Sequence, residues 1–171
     1  MKKGALFWPL AFTLVLADCS TKRFAVEHLT PPHVPHDVVG DIVRLTLAYN
    51  PCAAMGLCIG PFSRWAFVFL TIVALAALWQ LYRRAPTHDH RQIVALALVC
   101  GGAVGNLLDR LRSPRGVVDF IDIGVGDVRF WTFNVADVGV SIGAVLLAVV
   151  LWRQETAAAA AGELAEEGGA R

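Results

Sequence analysis

Four apolar stretches dominate this 171-residue chain, and each is close to the ~20 residues a helix needs to cross ~30 Å of hydrocarbon. They run over about residues 4–25, 65–82, 92–108 and 133–152. The second is the cleanest, with no charge from Trp65 to Tyr82 and Arg83-Arg84 closing it. All five Trp (Trp8, Trp65, Trp79, Trp131, Trp152) sit near the ends of these stretches, where an aromatic belt places them. The expectation is an α-helical integral membrane protein with four transmembrane helices. Hydrophobic residues make up 56% of the chain, and 15 basic side chains nearly cancel 14 acidic ones. No global field draws nucleic acid to such a chain, and a nucleic-acid binder, a disordered chain and most soluble enzymes are excluded.

The first stretch follows Lys2-Lys3, as a signal peptide would, and Leu16-Ala17-Asp18-Cys19 imitates a lipoprotein leader. Asp18 stands where a small residue is needed and three more spans follow, so the segment is read as retained. Lys2, Lys3, Arg83, Arg84, Arg91 and Arg153 favour both termini on the cytoplasmic side, although Arg110, Arg112, Arg115 and Arg129 weaken the count. The outer side then holds residues 26–64 and 109–132. Within them, Ile42 to Tyr49 alternates, with Val43, Leu45, Leu47 and Tyr49 on one face and Arg44 and Thr46 on the other. Val117–Ile123 and Val128–Phe133 flank Gly124-Val125-Gly126-Asp127, a hairpin pattern. A small β platform on the outer surface is expected. Residues 1–155 form one membrane-embedded domain, and residues 156–171, rich in Ala, Glu and Gly, read as a frayed or disordered tail.

Ionisable groups at membrane depth cost about 2.5–3.5 kcal/mol each, so they mark function by default. Three clusters carry them. Asp18 and Lys22 lie i,i+4 on one helical face, which fits either a snorkelling pair at a helix end or a polar face turned toward protein. In Gly101-Gly102-Ala103-Val104-Gly105-Asn106-Leu107-Leu108-Asp109-Arg110, Gly101 and Gly105 allow close helix approach. Helix packing does not account for Asn106, Asp109 and Arg110, a polar helix end aimed at a site. The third cluster joins Asp119, a lone carboxylate among Val, Phe and Ile, to Asn134, Ala136 and Asp137 at the start of the fourth stretch. Two buried carboxylates brought together share one proton, because both cannot ionise side by side. That is the pair an aspartic protease needs, one group deprotonating water while the other polarises a carbonyl. It is equally the pair a proton relay in a transporter needs.

Other patterns lead nowhere. Gly139-Val140-Ser141-Ile142-Gly143 matches the G-x-S-x-G nucleophile pattern but falls inside a helix, without the strand-to-helix turn and His that the motif requires. His88-Asp89-His90 is a short loop, and no zinc-ligand spacing is present. Of the four Cys, only Cys52 and Cys58 lie near each other in an outer segment. A disulfide between them would stiffen the segment, but a free thiol at Cys52 filling a small apolar space is the favoured reading.

Together these residues resemble the bacterial lipoprotein signal peptidases (signal peptidase II) along nearly the whole chain apart from the tail. Five motifs agree in order: Asp18-x-x-Thr21-Lys22; Asn50 with Ala53-Ala54; Gly101-Gly102-Ala103-x-Gly105-Asn106-x-x-Asp109-Arg110; Val117-Val118-Asp119-Phe120; and Phe133-Asn134-x-Ala136-Asp137. The chain departs from the family after Asn50, where Cys52 replaces a small Gly and Met55 an aromatic. The loop there is expected to differ in shape, and the chemistry is not. The resemblance implies a four-helix enzyme of the bacterial inner membrane with a small periplasmic β-cradle and its active site near the periplasmic face. It implies an aspartic endopeptidase that cuts diacylglyceryl-modified prolipoproteins just before the lipidated Cys, among membrane lipids, as a monomer, with no metal or organic cofactor. Carried over by motif, Asp119 and Asp137 are the catalytic dyad. Asp18, Lys22, Asn50, Gly102, Asn106, Arg110, Asn134 and Ala136 line or support the site, while Asp109 is expected to hold the structure or Arg110.

Overall fold

The computed structural model describes residues 2–52, 58 and 60–169, with residues 61 and 162–169 described as backbone only. Ala53, Ala54 and Met55, singled out above, lie outside the described residues. Four long helices, α1 (Lys3–His28), α2 (Ser63–Arg84), α3 (His90–Arg112) and α4 (Val135–Gly169), carry the four apolar stretches. Each is long and apolar enough to cross a membrane, α4 over Val135–Ala161. Large apolar side chains such as Trp8, Phe12, Phe69, Ile72 and Val145 face outward, as a lipid-facing surface requires.

α3 is the central helix, packing against α1, α2 and α4. Its glycines make this approach. A Cβ on Gly101 would meet the Ala11 backbone of α1, one on Gly105 would meet Asp18, and one on Gly102 would run into the Ala136 carbonyl of α4. At one end the bundle closes around Phe7, Tyr82, Ile93 and Leu96. There Lys3 donates to the carbonyls of Tyr82 and Arg83, each at 2.9 Å, so it supplies acceptors left open at the end of α2 with a cation. Asp89 caps α3 by accepting from the Gln92 N–H at 3.1 Å.

The opposite end carries an antiparallel sheet of β1 (Pro35–Val39), β2 (Val43–Asn50), β3 (Val117–Val125) and β4 (Val128–Arg129), in that spatial order. The alternation read in β2 is realised. Leu47 is fully buried with Ala25 of α1, Leu29 just beyond that helix, and Val118 and Phe120 of β3, and Leu45 and Tyr49 pack against them. Arg44 points away and pairs with Asp37 at 2.8 Å. The β2–β3 register sets Ala48 opposite Asp119 and Asn50 opposite Val117. That register places Asn50 and Asp119 on the face opposite the Leu47–Val118–Phe120 cluster, where alternation sends side chains away from the core.

Two expectations need correction, and one strand was not foreseen. β1 was not legible as a strand; it forms because β2 offers it a free edge, and all five of its residues are exposed. The strand expected over Val128–Phe133 pairs only at Val128–Arg129, and Phe133 returns as a single bridge to Ile121. The Phe130 N–H still reaches the Ile123 carbonyl at 2.7 Å, Trp131 and Thr132 leave the ladder, and all three residues line a cavity. The tail is not frayed: α4 continues without a break to Gly169. Its Ala157–Ala161 run has the highest helix propensity of any residue type, so nothing stops a helix already nucleated in the bundle.

Candidate active site

Where the sheet meets the ends of α3 and α4 lies a cavity of about 830 Å³. Asp119 and Asp137 both line it, with Asn50, Asn106 and Arg110. The structure thus brings together the two carboxylates that the sequence could only set side by side on paper. Its other walls are largely apolar: Tyr49, Phe130, Trp131, Phe133, Val138 and Val140.

The start of α4 explains how Asp137 is held. Asn134 is its N-cap: the Asn134 side-chain oxygen accepts from the Asp137 N–H at 3.0 Å, and Asp137 Oδ2 accepts from the Asn134 N–H at 3.1 Å. This is a capping box with Asp in the place of the usual Glu. The next orphan donor, the Ala136 N–H, is met by Asp18 Oδ1 from α1 at 2.9 Å. Asp137 Oδ1 accepts from Asn106 Nδ2 at 2.8 Å, which ties the carboxylate to α3. The carboxylate thus sits in the first turn of α4, beside the backbone N–H groups that open the helix.

Asp119 is reached from two sides. Asn134 Nδ2 donates to Asp119 Oδ1 at 2.6 Å, and Asn50 Nδ2 donates to Oδ2 at 3.3 Å. Asn134 therefore touches both carboxylates, one through its side-chain amide and the other through its backbone. Asp119 is only 4% exposed. Burial, then the neighbouring Asp137 carboxylate, pushes its pKa up to about 7, against the pull of the Asn134 and Asn50 amides and the Lys22 ammonium.

Beneath the two carboxylates, Lys22 is a hub and not one half of a snorkelling pair. It is 3% exposed, and its Nζ lies 2.8 Å from Asp18 Oδ2, 2.9 Å from Asp109 Oδ2 and 2.8 Å from Asn106 Oδ1. Three acceptors thus meet the three donors of an ammonium. Asn106 also accepts from Asn134 Nδ2 at 3.1 Å, so one amide links Lys22, Asn134 and Asp137. Asp109 holds Lys22 and accepts from the Val118 N–H at 3.2 Å, fixing β3 to α3. It holds structure, as expected, but not Arg110 by a hydrogen bond. Arg110, buried, instead donates to the carbonyls of Asn106 at 3.3 Å and Cys52 at 3.1 Å. Its Nε has no hydrogen-bond partner among the described residues.

Gly102 and Ala136 complete the set: their contact is what lets the first turn of α4 approach α3. Ser141, one turn beyond Asp137, lines the cavity as well. Cys52 and Cys58 are joined in a disulfide, which overturns the free-thiol reading. A disulfide of this kind persists in an oxidising compartment. Missed altogether were the cavity's aromatic walls, for which the run Phe130-Trp131-Thr132-Phe133 was an available signal, and Arg64. Arg64 donates to the Arg110 and Leu111 carbonyls at 2.5 and 3.1 Å, capping α3 from α2. Among the described residues no three His, Cys, Asp or Glu side chains converge as a metal site would need.

Comparison with known proteins gives these features a family context. Residues 10–153 match the model of the signal peptidase (SPase) II family. The lipoprotein signal peptidase of Hydrogenovibrio crunogenus is 38% identical over 146 residues, covering 82% of this chain and 81% of that protein. The lipoprotein signal peptidase of Geobacillus kaustophilus is 34% identical over 146 residues, covering 85% of this chain and 91% of that one. A solved bacterial membrane enzyme superposes with a TM-score of 0.75 at 29% identity, over 85% of this chain and 87% of that chain.

Proposed function

The chain belongs to the signal peptidase II family and is a membrane protease of lipoprotein signal peptides, and from that premise we propose that Asp119 and Asp137 hydrolyse the peptide bond with a shared proton. The observation that carries this reading is Asn134, bonded to both carboxylates at the wall of one cavity. Family membership removes the relay transporter that the sequence left open.

The roles follow from the surroundings. Asp119, with its pKa raised to about 7, carries the shared proton and donates it toward the scissile carbonyl oxygen. Asp137 accepts hydrogen bonds on both oxygens at a helix N-terminus and takes a proton from the attacking water. Water adds to the carbonyl carbon and forms a tetrahedral diol. Collapse breaks the C–N bond as the leaving nitrogen receives the proton held by Asp137, and Asp119 regains its own from the diol hydroxyl. Arg110 Nε and the Asn50 amide stand beside this centre, where a substrate backbone would pass. Asp18, Lys22, Asn106, Gly102 and Ala136 hold the dyad in place.

The substrate in this reading is a diacylglyceryl-modified prolipoprotein, cut on the N-terminal side of the lipidated Cys. Its acyl chains run beside the apolar walls of the cavity while the scissile bond meets the dyad. Residues 1–155 act as a monomer in the bacterial inner membrane. Both termini are cytoplasmic, the sheet and dyad lie at the periplasmic face, and residues 156–171 extend on the cytoplasmic side. The test is cleavage of a lipid-modified prolipoprotein in detergent, read as a gel mobility shift. Asp119→Asn and Asp137→Asn should each abolish it while the protein stays folded; turnover by either single variant sinks the two-aspartate mechanism.

A further inference from the structure

The residues after Asn50 depart from the family pattern, and the structure puts that departure against the dyad. Pro51 fixes its own φ and keeps Asn50 extended. The Cys52 N–H donates to Asn50 Oδ1 at 3.0 Å, which decides the orientation of the amide: its oxygen is taken, and its Nδ2 points to Asp119. On the other side, the Cys52 carbonyl accepts from Arg110 at 3.1 Å. The Cys52 peptide is therefore clasped between the two side chains that flank Asp119. Its own side chain, buried, is bonded to Cys58. Cys58 lies just before Gly60, whose carbonyl takes the Ser63 hydroxyl at 2.6 Å at the start of α2, and Arg64 binds that start to the end of α3. The covalent link thus runs from the exit of β2 to the entry of a membrane helix.

We propose that the Cys52–Cys58 disulfide is a positioning element of the hydrolytic centre, holding the Cys52 peptide so that the Asn50 amide is aimed at Asp119 and Arg110 is kept at the cavity wall. The inference rests on the Asp119–Asp137 reading. A brace that acted on stability alone would not touch the turnover of folded enzyme. A positioning element must, because ångström-scale misplacement beside reacting groups costs up to about 10²-fold in rate. Asp119 is faced by Asp137 from α4, Lys22 from α1 and Arg110 from α3, with the Asn50 and Asn134 amides as its donors. Losing the Asn50 donor removes one interaction that favours its ionised form, so Asp119 holds its proton to higher pH.

The experiment compares four forms of the full-length enzyme in detergent on a lipid-modified prolipoprotein peptide. They are the native enzyme, the same enzyme reduced with dithiothreitol, the reduced enzyme reoxidised, and Cys52→Ala/Cys58→Ala. Reduction turns the bond into two thiols as dithiothreitol closes to its cyclic disulfide. Expected are a fall in kcat of about tenfold, little change in KM, an alkaline limb moved to higher pH, and recovery on reoxidation. The double variant should match the reduced enzyme. Unchanged kcat and pH profile with only a lower Tm overturns the proposal, as does a rise in KM alone, or full activity in native enzyme whose Cys52 and Cys58 both label with maleimide. Asp119→Asn and Asp137→Asn run alongside: activity in either defeats the dyad reading itself, whatever the cysteines do.

Discussion

Lys22→Met removes the cation at the centre of the buried network beside Asp119 and Asp137. The substitution keeps much of the side-chain volume and removes the ammonium. Three acceptors converge on that ammonium within 2.9 Å, two of them carboxylate oxygens of Asp18 and Asp109. Asp18 is fully buried and its Oδ2 receives no other hydrogen bond, so the ammonium is its sole partner there among the described residues. Breaking a buried ion pair by removing one partner costs about 3–5 kcal/mol, because the remaining charge is left without compensation. At ~2–4 °C of Tm per kcal/mol for a chain of this size, the expected loss is about 6–20 °C. The measurement is thermal unfolding in detergent, followed by near-UV circular dichroism.

The companion variants sharpen it. Asp18→Asn keeps an acceptor for the Ala136 N–H and removes one charge, so Lys22→Met/Asp18→Asn should be less destabilised than the two single losses summed. Lys22→Arg should not rescue, since a planar fork does not replace a compact ammonium among three converging acceptors. Cleavage should fall with stability, because Lys22 fixes the Asn106 amide that donates to Asp137. A Lys22→Met enzyme within about 1 kcal/mol of wild type, below the range for a broken buried pair, would refute the hub.

Three other outcomes follow from the same geometry. Because the proposed mechanism has Asp119 donate a proton, and burial raises its pKa to about 7, kcat should fall as pH rises through that value; a rate still climbing at alkaline pH contradicts the assignment, the limb being a property of the coupled pair. Gly102→Ala places a Cβ against the Ala136 carbonyl and 2.7 Å from Val140 Cγ2, so it should cost about 1–3 kcal/mol in unfolding assays and, by shifting the first turn of α4, much of the activity. The unmodified precursor should be cut far more slowly than the diacylglyceryl form in a side-by-side assay, since the cavity walls of Phe130, Trp131 and Val138 suit acyl chains; equal rates would remove lipid recognition from the reading.

How much of this was legible depended on the range over which each residue acts. Spans are a local property, and the four apolar stretches became α1 to α4 with ends displaced by a few residues. The alternation of β2 was equally local. β1 carries no apolar face of its own and exists only as the partner of β2, so no pattern in Pro35–Val39 announces it. The tail was judged by low complexity, whereas propagation from an existing helix was the deciding term. The cysteine pairing depended on where the fold sets Cys52 and Cys58, which spacing alone does not decide. Asn106 and Asn134 were marked as site residues by motif, but their work as amides passing hydrogen bonds between α1, α3, α4 and β3 needs coordinates.

Asp137 shows why structural and catalytic readings of one residue should not be set against each other. A carboxylate three residues after an Asn at a helix start is an ordinary capping box, and taken alone it would need no further role. Here the backbone N–H groups that open α4 must be satisfied near the membrane boundary, where a missing hydrogen bond is costly. Asn134 meets one and Asp18 another. The same cap fixes the rotamer of Asp137 and, through the other end of the Asn134 amide, the position of Asp119. The device that starts the helix is thereby the device that holds the two carboxylates of the proposed dyad. Asp137→Asn retains an acceptor for the Asn134 N–H but cannot take a proton from water, so on the proposed mechanism it separates the two roles: the helix should remain and cleavage should be lost.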